Sequence, residues 1–592
     1  MIQGNRATPP RAAGWMIPVL LMGAAALFRI LLLGTVFTNV DSDQAIVGVM
    51  ADHIRAGQHP LVYYGQPYQG SLEAAAAALL CALFGTNDWT LRLPVLLCAV
   101  LFVGAIYALG ARLYGRRVAA LSALVVAFGP GMLLYYGDVT GFGYGEVALL
   151  GTALLILQAR YPDARRLPGA AALAMGLLAG CGVWTEPLMG EYLPALGVAY
   201  LLPLLSDHRV PRGWSAVARA GTGVAVGFLI GCAPLLLYNL RHHGATLSYL
   251  FPPGQPRDDH LALVQRQVTE SLPILLGLAI PNPNHAVFAH MAARYPIRYA
   301  VGVGVGVYLL GRLLLGLPRR VAALARPPRM EEGAAAVVQD EPRDGALALV
   351  GVTCLLCFAL THSGTGDSAI DTARYLFPLY TLTPLALHLA LPRRPRRAAP
   401  LLAALLIGGL LVAAVPLTLA TPQTLAPRRP IGALIRVLEA RGVRVVYLNY
   451  WLAYQLSFES HERVLGIPVD GLRLARVRVP GDLTVAARTP AGGLAWIFPA
   501  GSQGEQSFRQ LLAWTRTRAR RTPWANLAIY HHAARPLRPS GPYQFAGTGW
   551  FEDTPPVAVP VSRPLQGHHG PTGQTGPLAS VSRPAPPRHR RA

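Results

Sequence analysis

The chain has 592 residues, of which 53% are hydrophobic and 14% charged, and apolar stretches of about 20 residues recur along it. This composition excludes a single soluble domain and indicates an α-helical polytopic membrane protein. The net charge of +23 is carried by arginine, because the sequence contains no lysine. Since much of this excess lies in short connectors and in the Pro-rich C-terminal end, we expect membrane lipids, and not nucleic acid, as its partner.

Apolar segments of bilayer length predict eleven membrane spans. The first is too long for the core of a signal peptide, so we interpret it as a retained anchor. The apolar segments at 71–85 and 271–280 are shorter and suit an interfacial or re-entrant position. The predicted spans are 15–37, 91–113, 117–137, 142–160, 168–187, 188–205, 216–240, 296–317, 345–363, 374–391 and 400–419.

The arginines alternate along the chain between rich and poor connectors. A rich connector follows every second predicted span, as at Arg116, and the connectors between them are poor in arginine. Because arginine is retained on the cytoplasmic side of a membrane, this rhythm places residues 1–14 inside. It then predicts outer loops at 38–90 and 241–295. An odd number of spans puts everything after residue 420 outside.

The acidic run Asp41-Ser42-Asp43-Gln44 directly follows the first predicted span, at the start of an amphipathic helix predicted to end at Ala56. Carboxylates at this position face water close to the membrane surface. A base that deprotonates a hydroxyl is needed there if one substrate is linked to a lipid. The residues alone also allow a solvated loop or a helix N-cap, which are positions that Asp favours.

Asp138 and Glu146 are candidates for a second acidic element. Asp138 lies in the second predicted outer connector, where a turn residue beside Gly137 is the alternative interpretation. Glu146 falls inside a predicted span, and an ionisable group there is costly and tends to be functional. Glu73 stands at the head of the segment at 71–85, where its carboxylate would suit the N-terminus of a helix.

Arg374 precedes Tyr375 at the entry to a late predicted span. A guanidinium can bind a phosphate with two parallel hydrogen bonds and stabilise its charge. The alternative is an interfacial anchor whose stem is buried and whose charge faces water. Asp367 and Asp371 are nearby and offer carboxylates that could pair with Arg374.

After residue 420, short apolar runs alternate with helical periods, which predicts a small α/β domain over 420–553. From 554 to 592 the chain is dominated by Pro, Gly, Ser, His and Arg, so we expect a disordered tail. The predicted elements of the domain are a helix at 430–441, a strand at 443–448, a strand at 495–498 and a helix at 503–515.

Five stretches of this sequence together resemble the GT-C membrane glycosyltransferases. More narrowly, they are similar to the bacterial branch near the protein O-mannosyltransferases and the lipid A aminoarabinose transferases. The resemblance implies a polyprenyl-phosphate-sugar donor and transfer, on the outer face of the membrane, to a lipid, glycan or protein acceptor. The stretches are DSDQAIVGVMADHIRAG, YYGQPYQGSLEAAAAALLCALFG and LRLPVLL early in the chain, then ARYLFPLY at 373–380 and VVYLNYWLAYQLSF at 445–458.

The resemblance also assigns roles to individual residues. Asp43 matches the acidic position of the family's first loop, which activates the acceptor or shapes the donor phosphate site, and Arg374 matches a phosphate-binding arginine. Asp43 would act as a general base or, together with a divalent cation, would organise the donor phosphate. Two departures from the family stand out. Gln44 replaces the second acid of an Asp-Glu pair, and Gln66-Pro67-Tyr68 replaces a Lys-Pro-Pro turn.

Two other classes of protein fit parts of the sequence. A transporter or lipid flippase predicts internal repeats and ionisable groups near the middle of the membrane. The sequence has no convincing repeat, and its candidate groups lie toward the outer surface. A non-catalytic envelope scaffold is the second alternative, in which the C-terminal domain binds a partner and the acidic loop has no chemical role.

Overall fold

A computed structural model describes residues 15–35, 40–206, 214–251, 260–277, 296–325, 344–361, 372–390 and 431–539. Its first part is helical, and its last part is a mixed sheet with helices packed on both faces. The predicted fold class, a helical membrane domain with a small C-terminal α/β domain, is confirmed. The helices before residue 391 are α1 Met16–Thr35, α2 Ser42–Arg55, α3 Leu72–Phe84, α4 Asp88–Tyr114, α5 Arg116–Ala127, α6 Gly131–Asp138, α7 Tyr144–Arg160, α8 Gly169–Thr185, α9 Leu193–Ser206, α10 Trp214–Arg241, α11 Ala245–Leu250, α12 His260–Arg266, α13 Leu272–Leu275, α14 Pro296–Ala325, α15 Gly345–Leu360 and α16 Thr383–Ala390.

The predicted spans between 15 and 391 each coincide with a helix or a pair of consecutive helical segments. Two of these spans begin with a 3-10 segment: Pro187–Glu191 precedes α9, and Arg374–Leu382 precedes α16. Within the described residues, five helices are long and apolar enough to cross a membrane. The pair α5 and α6, bent by 69°, adds a sixth if it forms one broken span. The span at 400–419 lies outside the described residues, and the count of eleven stays a prediction.

Small residues bring α8 and α10 into close contact. A Cβ atom at Gly176 would lie 2.0 Å from the Val224 carbonyl oxygen, and one at Gly227 would lie 2.2 Å from the Leu173 carbonyl oxygen. Side chains at these positions would push the two backbones apart. Helices in a membrane gain little from hydrophobic association, so such close backbone packing is a main source of their affinity.

The amphipathic helix predicted at Gln44–Ala56 is confirmed as α2. It begins after Asp41, whose side chain accepts a hydrogen bond from the Gln44 backbone N–H and so caps the helix. The apolar face of α2 is fully buried in a core that includes Ile46 and Met50 from α2 and Tyr454 and Phe458 from the C-terminal part. The first loop and the C-terminal domain therefore share one hydrophobic core.

The C-terminal domain holds a six-stranded sheet in the order β3-β2-β1-β4-β6-β5. Strands β1, β2 and β4 are parallel and form the buried centre, whereas β3, β5 and β6 pair antiparallel at the two sides. The four predicted elements of this domain are confirmed as α17, β1, β4 and α20. The elements are α17 Ile431–Glu439, β1 Val445–Leu448, α18 Tyr450–Glu459, β2 Leu465–Asp470, β3 Arg473–Leu474, α19 Asp482–Arg488, β4 Leu494–Pro499, α20 Gln503–Trp514, β5 Arg520–Trp524 and β6 Leu527–His531.

Candidate active site

Asp43, in the first turn of α2, points toward the C-terminal domain. Its Oδ1 accepts a hydrogen bond of 2.5 Å from the Tyr450 hydroxyl and lies 3.4 Å from Nη2 of Arg478. Its backbone carbonyl accepts a hydrogen bond from the Tyr63 hydroxyl. The side chain remains 20% exposed, and Oδ2 accepts no hydrogen bond in the described part of the chain. The carboxylate is therefore held by one oxygen and open at the other.

The first turn of α2 is fixed to α18 by a two-way contact through Ser42. The Ser42 hydroxyl donates to the Tyr450 carbonyl oxygen and accepts, at 3.2 Å, from the Tyr454 backbone N–H. At the other end of α2, Nε2 of His53 lies 2.9 Å from Oε2 of Glu462. The C-terminal domain is thus anchored at both ends of the helix that carries Asp43.

Asp41, two residues before Asp43, has a structural contact of its own as the N-cap of α2. Burial is the largest cause that raises its pKa, from 3.8 to about 6, and the neighbouring Asp43 carboxylate adds to the effect. Because the pKa is higher in the folded state, this group favours folding most below about pH 4. The contribution is lost as the pH rises through about 6.

We therefore expect Asp41→Asn to become more stable relative to the wild type as the pH rises from about 4 to about 7. Asn keeps the N-cap hydrogen bond but has no charge to bury. The gain is expected to be on the order of 1–3 kcal/mol. Thermal unfolding of both proteins in detergent across this pH range measures the gain in stability. A difference that does not change with pH would contradict a titrating Asp41.

Gly141 connects Asp43 to a second acidic group. A Cβ atom at Gly141, where φ is +102°, would lie 3.1 Å from the Asp43 carbonyl oxygen, so a larger residue would crowd this contact. The Gly141 backbone N–H donates to both carboxylate oxygens of Glu73, at 2.9 and 3.0 Å. Glu73 therefore has a role beyond the N-terminus of α3. It fixes the segment at Gly141, which packs against Asp43, the candidate base.

Glu146, in the first turn of α7, lies within electrostatic range of Glu73. Both side chains are buried, and Oε1 of Glu146 has no hydrogen-bond partner in the described ranges. The structure thus brings Glu146 and Glu73 together behind the Asp43 loop. This arrangement keeps Glu146 among the candidates for a supporting acid.

Asp138, at the end of α6, is fully buried and paired with Arg29 of α1. Nη1 of Arg29 lies 3.1 Å from both carboxylate oxygens, and Nη2 donates to the Val126 carbonyl oxygen at 3.1 Å. This ion pair ties α1 to the bent pair α5 and α6. The geometry supplies a structural role for Asp138 and does not place it beside Asp43.

Removing one partner of this pair should leave an uncompensated charge in the interior. We expect Arg29→Met to lower stability by about 3–5 kcal/mol, as breaking buried ion pairs does in soluble proteins. The double variant Arg29→Met/Asp138→Leu should recover much of the loss, because no charge remains buried. Thermal unfolding in detergent compares the three proteins. Equal losses in the single and the double variant would contradict a buried pair of charges.

Arg374 begins the 3-10 turn before α16 and is partly buried. Its Nη2 donates to the Tyr375 hydroxyl at 3.3 Å, and its guanidinium carbon lies 5.1 Å from the centre of the Tyr375 ring. Buried Nε has no hydrogen-bond partner within the described segments. Glu186 is the carboxylate within electrostatic range, while Asp367 and Asp371 lie outside the described residues. Arg374 therefore retains donors for a ligand.

Tyr68, Tyr249 and Tyr375, here called the aromatic wall, lie close to Arg478 and to Arg374. Tyr68 stacks on Tyr249 with 4.8 Å between the ring centres. Tyr68 also lies within electrostatic range of both Arg478 and Tyr375. Aromatic faces and hydroxyls of this kind suit a sugar ring, which offers both apolar C–H faces and hydroxyl groups. The region thus offers aromatic faces and hydroxyl groups close to two arginines.

The groups around Asp43 do not suit a divalent cation. No three or more His, Cys, Asp or Glu side chains are arranged to hold a metal ion among the residues that the structure describes. Asp43 makes its contacts with Tyr450 and Arg478, which are not the hard carboxylate set that Mg²⁺ or Mn²⁺ prefers. We therefore derive no reaction step through a divalent cation.

Sequence reasoning missed two residues that touch Asp43. Tyr450 lies in the stretch at 445–458 that carries part of the family resemblance, so its position gave some signal. Arg478 follows β3 in a segment with several exposed arginines, and no local pattern distinguishes it from Arg476 or Arg473. Its place beside Asp43 depends on contacts between residues more than 400 positions apart.

The comparisons with known proteins agree with this architecture. A model of the family described as dolichyl-phosphate-mannose-protein mannosyltransferase matches residues 71–238. That stretch contains Glu73, Asp138 and Glu146 but neither Asp43 nor Arg374. No match was found among curated proteins.

Solved structures resemble the chain over most of its length. ArnT from Cupriavidus metallidurans in the apo state is 14% identical with a TM-score of 0.52, covering 90% of this chain and 100% of ArnT. The same enzyme bound to undecaprenyl phosphate gives 14% identity and a TM-score of 0.49, covering 89% and 100%. The oligosaccharyltransferase AglB from Archaeoglobus fulgidus gives 12% and 0.48, covering 82% and 69%. The fold is shared with apo ArnT.

Proposed function

We infer that this chain, a multi-pass membrane glycosyltransferase of the GT-C superfamily, transfers a sugar from a polyprenyl-phosphate carrier to an acceptor hydroxyl outside the cytoplasmic membrane. The proposal rests on the geometry around Asp43, at the start of α2. Its Oδ1 contacts Tyr450 and Arg478 of the C-terminal domain, and its Oδ2 accepts no hydrogen bond from the described residues. The aromatic wall lies close to Arg478 and to Arg374. The family match over residues 71–238 and the fold shared with apo ArnT support this enzyme class.

The proposed reaction is a single displacement at the anomeric carbon. The acceptor oxygen forms a bond to this carbon as the bond to the phosphate oxygen of the carrier breaks. Free Oδ2 of Asp43 accepts the proton of the acceptor hydroxyl, and Tyr450 keeps Oδ1 in place. Burial and the negative charge of Asp43 raise the pKa of Tyr450, so its hydroxyl remains a donor.

Charge develops on the departing polyprenyl phosphate and needs cationic stabilisation. Arg374 is suited to this task, because its guanidinium is close to the aromatic wall and its Nε is unpaired among the described residues. Glu146 and Glu73 are proposed to support the loop around Gly141 and not to touch the substrate. Asp41 is proposed to act through α2 as its cap.

The acceptor class is proposed from the place of the site. Asp43 lies where α2 meets the C-terminal domain, so we propose that a lipid, glycan or protein acceptor enters beside Oδ2 of Asp43 while the donor approaches from the membrane. ArnT has been crystallised with undecaprenyl phosphate and AglB with a dolichol phosphate and a peptide. We propose the same general kinds of donor and acceptor for this chain.

An outward C-terminal domain is part of the proposal and rests on the arginine asymmetry. A reporter that is active only in the cytoplasm, fused after Thr421, is expected to be silent, whereas the same reporter fused after Arg166 should be active. Activity after Thr421 equal to that after Arg166 would contradict the orientation and move the site to the cytoplasmic side.

One experiment separates a transferase from the transporter and scaffold alternatives. Proteoliposomes with the purified protein receive a polyprenyl-phosphate sugar labelled in the sugar, together with a cell-envelope fraction as acceptor. We expect the label to leave the lipid phase and join the acceptor. Label that crosses the bilayer on an intact lipid would favour a flippase, and label that stays in place would favour a scaffold.

A further inference from the structure

Arg478 is a largely buried cation to which the proposed reaction assigns no role. It lies between β3 and α19, and its side chain is 11% exposed. Buried Nε and Nη1 have no hydrogen-bond partner in the described ranges, although a guanidinium carries five N–H donors. Buried polar groups are almost always paired in native proteins, so the unpaired donors of Arg478 are available to bind a ligand.

The contacts that Arg478 does make leave most of its charge available. Nη2 meets Asp43 at a single oxygen, 3.4 Å away, which is longer than a good charged hydrogen bond. The guanidinium carbon lies 5.4 Å from the centre of the Tyr450 ring. In a bidentate pair with a carboxylate, two nitrogens of the Arg478 guanidinium would each donate a hydrogen bond.

The position of Arg478 is set by its backbone and by a turn of the first loop. Its backbone N–H donates to the Tyr454 hydroxyl at 2.5 Å, and Tyr454 is anchored to Ser42. Its stem packs on Gly65, where a Cβ atom would lie 2.6 Å from Cγ of Arg478. The following residues, Gln66-Pro67-Tyr68, bring no cation of their own to this place. Arg478 supplies the positive charge that this turn lacks.

We propose that Arg478 binds the phosphate group of the polyprenyl donor, so that the C-terminal domain completes the donor site. This inference rests on the proposed function. Phosphate oxygens are strong acceptors, and a guanidinium with unpaired donors in a largely buried place binds them more tightly than an exposed one does. When the phosphate draws Arg478 away from Asp43, the carboxylate keeps only its contact with Tyr450. Donor binding and readiness of the base are thereby coupled.

The test compares a polyprenyl phosphate with the polyprenol of the same chain length, each titrated into the purified full-length protein. The two ligands share the hydrocarbon chain and differ in the phosphate. We expect the wild type to prefer the phosphate, and Arg478→Ala to lose about ten- to a hundredfold of this preference. Arg478→Gln should lose as much, and Arg478→Lys, which keeps the charge, should lose less.

Arg476→Ala is the matched control. Arg476 lies two residues earlier, is exposed, and has its guanidinium carbon 5.7 Å from the centre of the Tyr450 ring. Arg476→Ala changes the net charge by the same amount as Arg478→Ala and should leave the preference for phosphate unchanged. If Arg478→Ala does not fold, Arg478→Gln decides the test.

The outcomes distinguish a failure of the role assigned to Arg478 from a failure of the proposed glycosyltransferase function. A wild type that binds both ligands equally would refute the donor class itself. A wild type that prefers the phosphate, together with Arg478→Ala or Arg478→Gln variants that keep the full preference, would refute only the role of Arg478. A loss of the same size in Arg476→Ala would also refute it, because surface charge alone would then explain the effect.

Discussion

Asp43→Asn is expected to abolish sugar transfer while the protein folds and inserts normally. The loss of a general base should lower the rate by about a hundredfold or more. Asn has the size of Asp and can still accept the hydrogen bond from Tyr450, so the contact with α18 survives. The helix cap is unaffected because Asp41, and not Asp43, provides it. Transfer rates at equal protein levels measure the effect.

Two other carboxylates serve as controls for this prediction. Asp41→Asn should have a milder effect on the rate, since its side chain caps α2. Glu146→Gln removes a buried acid that lies behind the Gly141 loop, and its effect should also be smaller than that of Asp43→Asn. If Asp43→Asn retains most of the activity while either control eliminates it, the base must be sought among those carboxylates.

Arg374→Ala is expected to have the second largest effect on transfer. Loss of a charged hydrogen bond to phosphate costs about 1.5–3 kcal/mol, which is roughly ten- to a hundredfold in the use of the donor. Arg374→Lys should lose less, because it keeps the charge but not the fork geometry. The measurement is the rate as a function of donor concentration for the three proteins.

An interfacial anchor predicts a different pattern at Arg374. Both substitutions would then be mild and nearly equal, because the position would need only a long side chain near the membrane surface. Tyr375→Phe is a useful companion variant, since it removes the hydroxyl that accepts from Nη2 of Arg374 and keeps the ring. A small effect of Tyr375→Phe beside a large effect of Arg374→Ala would assign the loss to the guanidinium.

Local sequence patterns predicted the elements of this fold well. Apolar length located α1 and α4, and helical periodicity located α2, because burial of one face of a helix leaves a regular trace in the sequence. The same reasoning found α17 and β1 in the C-terminal domain. The bend of 69° between α5 and α6 was not predicted, although Gly129 and Pro130 at this point are residues that interrupt helices.

Contacts between distant parts of the chain could not be predicted. The pairing of Arg29 with Asp138 joins α1 to α6, and sequence reasoning predicted neither a role for Arg29 nor this pairing. Asp43 was predicted as the catalytic residue from its place after the first span and from the family resemblance, and that role stays a prediction. Its neighbours Tyr450 and Arg478 depend on how the C-terminal domain docks on α2, which no local pattern encodes.

The most direct test of the central claim follows both products of the reaction in one tube. A donor labelled on the sugar and on the polyprenyl chain is incubated with the envelope acceptor fraction and with either wild-type protein or Asp43→Asn. We expect the wild type to release one polyprenyl phosphate for each sugar transferred, and Asp43→Asn to release about a hundredfold less. Equal release by the two proteins, or no release by the wild type, would contradict it.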